Sequence, residues 1–118
     1  ERNKDAGAGS GKIKIKAGNE IFMIAPADIL FIEKQDKVSL IHTGSSVYRA
    51  YQTLGELEDK LEYNFFRVHR SFIVNLNKVS KIEEVSNRSY EIDFAGYDKT
   101  ALMSRYKFKE HKHRFTPL

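Results

Sequence analysis

Near the middle of the chain, a short run of cationic and hydrogen-bonding residues has the composition of a phosphate-binding surface. Arg67, His69 and Arg70 fall within four consecutive positions, and Ser71 and Asn75 follow with a hydroxyl and an amide. Guanidinium, imidazole, hydroxyl and amide groups all donate hydrogen bonds to phosphate oxygens and to the edges of nucleic-acid bases. These residue types therefore favour nucleic acid as the ligand.

We call residues 65–75 the central segment. Within it, Phe66 and Val68 alternate with Arg67 and His69, which is the period of a strand with one buried face. We therefore expect Arg67 and His69 to share the solvent-exposed face, while Phe66 and Val68 anchor the strand in the core.

Three residues of the central segment also have structural interpretations. Asn75 is suited to capping a short segment or to satisfying buried backbone groups. His69 is suited to packing as a structural histidine that hydrogen-bonds its neighbours. For Arg70, a salt bridge is the main other role. These alternatives stay open beside nucleic-acid binding.

A second group of donors lies at residues 34–39, where a polar loop is predicted at 34–37 between two strands. Lys34 and Lys37 can reach phosphates, and Gln35 or Ser39 can hydrogen-bond base edges. An ordinary polar hairpin turn explains the same residue types.

The third group is the basic C-terminal stretch from 104 to 114, where five cations accompany a single acid, Glu110. The cations are Arg105, Lys107, Lys109, Lys112 and Arg114. The first three are the candidate binding residues. A basic, solvated helix end is the alternative, above all for the last two, because positive charge near a helix C-terminus is itself stabilising.

Length and charge bound the class of protein. The 118 residues suit one domain with a core of its own. The net charge of +4 arises in the second half, since residues 1–61 carry nine Lys/Arg and nine Asp/Glu, whereas residues 62–118 carry eleven and seven. A basic footprint suits a phosphate-binding surface, although on charge alone a solvated basic surface is the simpler explanation.

No motif indicates catalysis, a cofactor or a membrane anchor. The chain has no cysteine, which excludes disulfides and thiolate metal sites, and the four histidines fit no standard zinc spacing. HExxH and glycine-rich phosphate loops are absent, and Ser71 beside His69 makes no triad. No apolar run has transmembrane length, and the N-terminus does not resemble a signal peptide. We expect a cytoplasmic binding protein with no enzymatic activity, cofactor or metal.

Hydrophobic patterning predicts a mainly β domain with two short helices. A capping box between Thr53 and Glu56 begins the first helix, and Ser104 is the predicted N-cap of the second. Residues 1–11 are small, polar and glycine-rich, so we interpret them as a flexible linker or a cloning remnant before a domain at 12–118. Besides the central segment, the predicted strands are 12–16, 20–24, 29–33, 38–42, 46–51, 79–85, 90–94 and 100–103.

The central segment, Phe-Phe-Arg-Val-His-Arg-Ser-Phe-Ile-Val-Asn, resembles the signature of the LytTR family, the DNA-binding output domain of many bacterial response regulators. Three other stretches resemble family landmarks in the family's order. They are an early strand at 27–33, the helix before the signature at 53–58, and a C-terminal Ser-Arg element at 104–108. The resemblance covers residues 12–113, and four landmarks in order are far more specific than one motif.

This resemblance implies an elongated fold of short antiparallel strands that binds double-stranded DNA. It implies that residues 34–37 and Arg105 enter successive major grooves, about 34 Å apart, while the central segment lies over the backbone and the minor groove between them. On this basis Arg70 suits the narrow groove and Ser71 a phosphate. The Arg105 fork suits guanine O6 and N7, and the next two lysines would contact phosphates.

The resemblance also implies partners. Members of the family bind direct-repeat sites, so we expect two copies on one DNA from a domain that is monomeric in isolation, controlled by an upstream domain such as a phosphorylated receiver. Two other functions stay open. One is a protein-interaction module whose basic face docks an acidic partner domain. The other is single-stranded nucleic-acid binding, with bases stacked on some of the eight Phe and six Tyr.

Overall fold

The computed structural model of the chain describes residues 11–115. The predicted linker at 1–11 therefore lies outside the described residues, apart from Gly11. Within the described range the chain forms ten strands, two α-helices and three short 3-10 helices. The prediction of a mainly β domain with two short helices is confirmed.

The elements have the following bounds. The strands are β1 (Ile13–Ala17), β2 (Glu20–Ile24), β3 (Ile29–Gln35), β4 (Val38–Thr43), β5 (Val47–Ala50), β6 (Phe65–His69), β7 (Phe72–Asn75), β8 (Val79–Ser86), β9 (Ser89–Phe94) and β10 (Ala101–Ser104). The α-helices are α1 (Leu54–Glu58) and α2 (Arg105–Glu110), and the 3-10 helices are Pro26–Asp28, Leu76–Lys78 and Lys112–Arg114.

Three antiparallel sheets organise these strands. The largest has five strands in the order β5-β4-β3-β7-β6. A three-stranded sheet has the order β10-β9-β8, and β1 and β2 form a separate hairpin. The central segment is thus a β6–β7 hairpin at one side of the large sheet.

The five-stranded sheet is buried on both faces. On one face it packs against α1 and the β1–β2 hairpin, where Ile32 and Leu57 belong to one buried cluster. On the other face it packs against the three-stranded sheet and α2, and there Phe31 stacks on Phe94 with 5.0 Å between ring centroids. Neither face of the central strands β4, β3 and β7 is free, so solvent reaches this sheet mainly at the edge strand β5, at strand ends and at turns.

Both predicted helix starts are present. Thr53 Oγ1 accepts a hydrogen bond from the Glu56 N–H at 3.1 Å, and Glu56 Oε1 accepts one from the Thr53 N–H at 2.9 Å. Ser104 Oγ accepts a hydrogen bond from the Lys107 N–H at 3.1 Å. These side chains satisfy N–H groups that the first turn of a helix leaves unpaired.

The predicted polar loop at 34–37 is shorter than expected. Lys34 and Gln35 remain in β3, where they pair with Ser39 and Val38 of β4. The turn therefore holds two residues, and its first, Asp36, has a φ of 57°. Aspartate tolerates this left-handed conformation better than most residues, so a tight turn closes the hairpin and extends both strands.

Candidate nucleic-acid interface

The β3–β4 and β6–β7 turns lie side by side at one end of the five-stranded sheet. Strand β3 pairs antiparallel with β7, with Glu33 opposite Phe72, so β3 ends where β7 begins. The Lys34 N–H then donates a 2.8 Å hydrogen bond to the Ser71 carbonyl in the neighbouring turn. We call this end of the sheet the hairpin edge. It brings together two of the three groups of residues singled out in the sequence.

Five exposed residues occupy the hairpin edge. They are Lys34, Gln35, Lys37, Arg70 and the acid Asp36. Within residues 11–115, none of them has a side-chain hydrogen bond or a salt bridge, so the salt-bridge alternative for Arg70 has no partner in that range. Unpaired cations beside an amide side chain are what phosphate and base contacts require.

Ser39 and Asn75 belong to the interior instead. Ser39 is 2% exposed and its Oγ donates a 2.7 Å hydrogen bond to the Gln52 carbonyl. Asn75 is 1% exposed, and its Nδ2 donates to the Ile29 carbonyl at 2.9 Å. Its Oδ1 accepts from the Asn77 N–H at 3.0 Å, which caps the 3-10 helix Leu76–Lys78. Burial therefore contradicts their assignment as DNA-binding residues, and for Asn75 the structural alternative holds.

The prediction that Arg67 and His69 share one face is wrong. Arg67 lies opposite Ile73, which belongs to the cluster on the α1 face, but His69 lies opposite Phe72, which packs on the other face. The reason is an irregularity in the ladder between Arg67 and His69, which leaves Val68 as an extra residue on β6. Such a bulge breaks the two-residue alternation of side chains.

Arg67 supports the hairpin edge from the α1 side. Its Nη2 donates a 2.9 Å hydrogen bond to the Arg70 carbonyl, and its Nη1 lies 3.8 Å from Glu58 Oε1. The Nε is buried and has no hydrogen-bond partner in the described part of the chain. Arg67 thus fixes the turn that carries Arg70, through one hydrogen bond to the turn and one ion pair to α1.

His69 is set up as a neutral hydrogen-bond donor. Its Nδ1 accepts a 3.0 Å hydrogen bond from the Ser71 N–H, so the ring proton of the neutral form must sit on Nε2. Burial, and secondarily the charge of Arg70, lowers the pKa of His69 below its ordinary value of 6.5. The half-buried ring also packs edge-on against Phe72, with 5.6 Å between centroids. The structural interpretation is therefore realised without removing Nε2–H as a donor.

The third group lies beside the tip of the β8–β9 hairpin. Arg105, the first residue of α2, donates from its backbone N–H to the Arg88 carbonyl and from Nη1 to the Asn87 carbonyl, both at 3.0 Å. Glu84 Oε2 lies 3.7 Å from the same Nη1. With 46% of its side chain exposed, Arg105 is held in place and still accessible.

The remaining C-terminal cations have mixed roles. Lys107 pairs with Glu110 at 3.3 Å and keeps 32% of its side chain exposed, and Lys109 is exposed. Arg114 instead lies over the Phe66 ring, 4.7 Å from its centroid, and donates to the Tyr63 carbonyl at 3.2 Å. Arg114 therefore ties the C-terminal element to β6.

A buried polar network at His42 was not foreseen in the sequence. His42 Nδ1 lies 2.7 Å from the Tyr97 hydroxyl, and Nε2 lies 3.3 Å from Glu33 Oε2. The ring stacks on Phe31 at 4.2 Å between centroids. Burial lowers the pKa of His42, opposed by the neighbouring Glu33 carboxylate, and burial raises the pKa of Tyr97. The network links the large sheet to the segment between β9 and β10.

No metal-binding cluster and no membrane-spanning helix is present among residues 11–115. No three His, Asp or Glu side chains among residues 11–115 are grouped closely enough to hold a metal ion. None of the helices in that range has the length and apolar character needed to cross a membrane.

The comparisons with known proteins identify the family. The family model described as the LytTr DNA-binding domain matches residues 19–116, and the chain belongs to this family. A solved LytTr DNA-binding domain from Bacillus cereus matches the fold with a TM-score of 0.76, at 19% identity, over 88% of this chain and 95% of that one.

Named relatives are regulators of about twice the matched length. The transcriptional regulatory protein NatR of Bacillus subtilis is 31% identical over 81% of this chain and 42% of the relative. YpdB of Escherichia coli K12, also a transcriptional regulatory protein, is 34% identical over 80% and 39%. The sensory transduction protein LytT of Enterococcus faecalis is 29% identical over 93% and 47%. The chain thus spans less than half the length of each of these relatives.

Proposed function

We propose that this chain is the sequence-specific, double-stranded DNA-binding output domain of a bacterial transcriptional regulator. The observation that carries the proposal is the hairpin edge, where Lys34, Lys37 and Arg70 are exposed without an acidic partner in the described range. Elsewhere several cations are paired, as Lys81 is with Glu83. The edge holds one acid, Asp36, against these three cations, so it is net positive, and a phosphate backbone compensates that charge.

The dimensions of the domain suit successive grooves of one duplex. Its longest extent is 42 Å, whereas neighbouring major grooves on one face of B-DNA are about 34 Å apart. In our proposal the β3–β4 turn enters one major groove and presents Gln35 to base edges. Arg105 enters the next, with Lys107 and Lys109 on flanking phosphates. Arg70, His69 and Ser71 lie over the backbone and minor groove between.

The proposed partners follow from the family and from the length of the relatives. We propose direct-repeat sites occupied by two copies of a domain that is monomeric in isolation, under the control of an upstream receiver or other regulatory domain. No catalytic step, cofactor or metal enters this function. The proposed role also places the chain in the cytoplasm, where bacterial DNA lies.

Selection of duplexes from a random pool tests the proposal. The selected duplex and a scrambled control of the same length are titrated with the chain by fluorescence anisotropy at several salt concentrations. We expect the selected duplex to bind about 1000-fold more tightly than the scramble, and affinity for both to fall steeply with salt. Equal binding of both at every salt concentration would contradict sequence-specific recognition. A single-stranded competitor that displaced the duplex would instead favour single-strand binding.

A second candidate function, protein interaction, has one observation in its favour. On the outer face of the β1–β2 hairpin, Ile21 is 62% exposed and Met23 is 46% exposed. They lie opposite Lys16 and Lys14 respectively. An apolar strip beside lysines suits an acidic partner surface. Replacing Ile21 and Met23 with Ser separates the two functions. Binding of a protein partner should then weaken, whereas DNA affinity should be unchanged.

A further inference from the structure

The tip of the β8–β9 hairpin places a second arginine directly beside Arg105. The last pair between β9 and β10 joins Ser89 to Ser104, and the hydrogen bond from the Arg105 N–H to the Arg88 carbonyl continues this ladder by one step. Arg88 and Arg105 are therefore neighbours across the ends of two paired strands. Arg88 sits alone in a turn, outside every basic cluster of the sequence, and was therefore not predicted as a binding residue.

Two arginines in this position repel each other. Arg88 lies in the β8–β9 turn and Arg105 begins α2, one step beyond the β9–β10 pairs, so their like charges are close enough to repel. Glu84 is the carboxylate that pairs with Arg105, at 3.7 Å. Arg88 is exposed, and its guanidinium has neither a salt bridge nor a hydrogen bond within residues 11–115. Glu84 thus pairs with Arg105 alone, and within residues 11–115 the charge of Arg88 has no acidic partner at the tip.

The backbone of this tip is held in place, although the Arg88 side chain is not. The Ser86 and Ser89 hydroxyl oxygens lie 3.0 Å apart, and Ser86 Oγ accepts a 3.1 Å hydrogen bond from the Arg88 N–H. Arg105 Nη1 binds the Asn87 carbonyl at 3.0 Å. A fixed backbone lowers the entropy lost when an attached side chain binds a ligand.

We propose that Arg88 binds a DNA phosphate on the strand that flanks the groove entered by Arg105. The inference rests on the proposed function and adds the β8–β9 tip to the DNA interface. Arg105 cannot approach base edges without bringing the Arg88 backbone, bonded to its own N–H, close to the same stretch of duplex. Arginine binds phosphate oxygens through two parallel N–H groups, and here the phosphate would neutralise the charge that Glu84 leaves uncompensated.

The test uses Arg88→Ala, Arg88→Lys and the matched control Lys81→Ala. Lys81 is an exposed cation on the same hairpin, six residues before the first turn residue, Asn87, and hence about 20 Å from the tip. Each variant is titrated by fluorescence anisotropy against the selected duplex and its scramble, at several salt concentrations. Circular dichroism and thermal melting establish that every variant is folded. The unaltered chain, measured in parallel, shows whether specific DNA binding exists at all.

A phosphate contact by Arg88 predicts specific changes in affinity and in salt slope for the variants. We expect Arg88→Ala to weaken binding to both duplexes alike, by roughly tenfold, and to lower the salt slope by about 1. Arg88→Lys should retain the slope, and Lys81→Ala should match the unaltered chain. An unchanged affinity and slope for a folded Arg88→Ala would overturn the inference while leaving the proposed function intact. Loss confined to the selected duplex would also overturn it, since that indicates a base contact. Absence of specificity in the unaltered chain would instead overturn the proposed function.

Discussion

The backbone N–H of Lys34 and the carbonyl of Ser71 form a 2.8 Å hydrogen bond that extends the β3–β7 ladder into a turn. Through this bond, the hairpin that carries Gln35 and the hairpin that carries Arg70 are fixed relative to each other. Gln35 and Arg70, which are 35 positions apart in the sequence, thus lie on one rigid surface. A rigid arrangement of donors reduces the freedom lost on binding and favours one register on the duplex.

The first prediction concerns the guanidinium fork of Arg105. Arg105→Ala should weaken binding to the selected duplex by about 1–3 kcal/mol and relax the preference at one base position. Arg105→Lys should lose the same preference and keep the salt slope, because lysine retains the charge without the two-pronged geometry. Repeating the selection with each variant measures this preference. An equal loss of affinity on every sequence would instead indicate that Arg105 contacts only a phosphate.

The second prediction concerns the acid beside Arg105. Glu84→Gln removes a carboxylate that lies 3.7 Å from Nη1 and that repels phosphates nearby. We expect binding to both the selected and the scrambled duplex to strengthen about two- to fivefold, with a steeper salt slope, which is the scale of an exposed ion pair. Glu83→Gln is the matched control, because Glu83 pairs with Lys81 instead. Equal effects of the two substitutions would show that net charge alone is responsible.

The third prediction concerns the buried amide of Asn75. Asn75→Ala removes the bonds to the Ile29 carbonyl, the Asn77 N–H and the Asn64 amide. Buried polar groups that lose their partners are costly, so we expect the free energy of unfolding to fall by about 2–3 kcal/mol. Urea denaturation measures this. Asn77→Ala is the control, since the exposed Asn77 contributes its backbone N–H and should change stability by less than about 0.5 kcal/mol.

The fourth prediction concerns the protonation of His69. Its folded-state pKa lies below 6.5, so the folded protein binds a proton at His69 less readily than the unfolded chain. The stability from neutral His69 is present above pH 6.5 and is lost as pH falls through the lowered pKa, when protonation removes the acceptor of the Ser71 N–H.

Comparison with His69→Gln isolates this contribution from those of the other histidines. The stability advantage of the unaltered chain over the variant should shrink between about pH 7.5 and about pH 5. Nitrogen NMR of the His69 ring should show the proton on Nε2 at neutral pH. A His69 pKa at or above 6.5 would contradict the prediction.

Local interactions were predicted well from the sequence. The capping box at Thr53 and Glu56 and the N-cap at Ser104 connect residues three positions apart. Their partners are therefore visible in a short window of sequence. The positions of most strands and of the two helices along the chain also followed from patterning, whereas the order of the strands within the sheets was not predicted.

Features set by distant partners were not predicted. Burial of the Ser39 hydroxyl is possible because it donates a hydrogen bond to the Gln52 carbonyl, 13 positions away. Nothing in residues 34–39 indicates this partner. The bulge at Val68 arises from how β6 aligns with β7, and alternation alone cannot reveal it. The closeness of Arg88 to Arg105 depends on the β9–β10 register.

Burial of the five-stranded sheet on both faces has a consequence for how this domain can evolve. The apolar strand residues serve one core or the other, so most changes there lower stability. The side chains of Gln35, Lys37 and Arg70 project at strand ends and turns and belong to neither core. Substitutions at these positions should therefore accumulate with little thermodynamic penalty, and under the proposed function they would change operator preference on an unchanged scaffold.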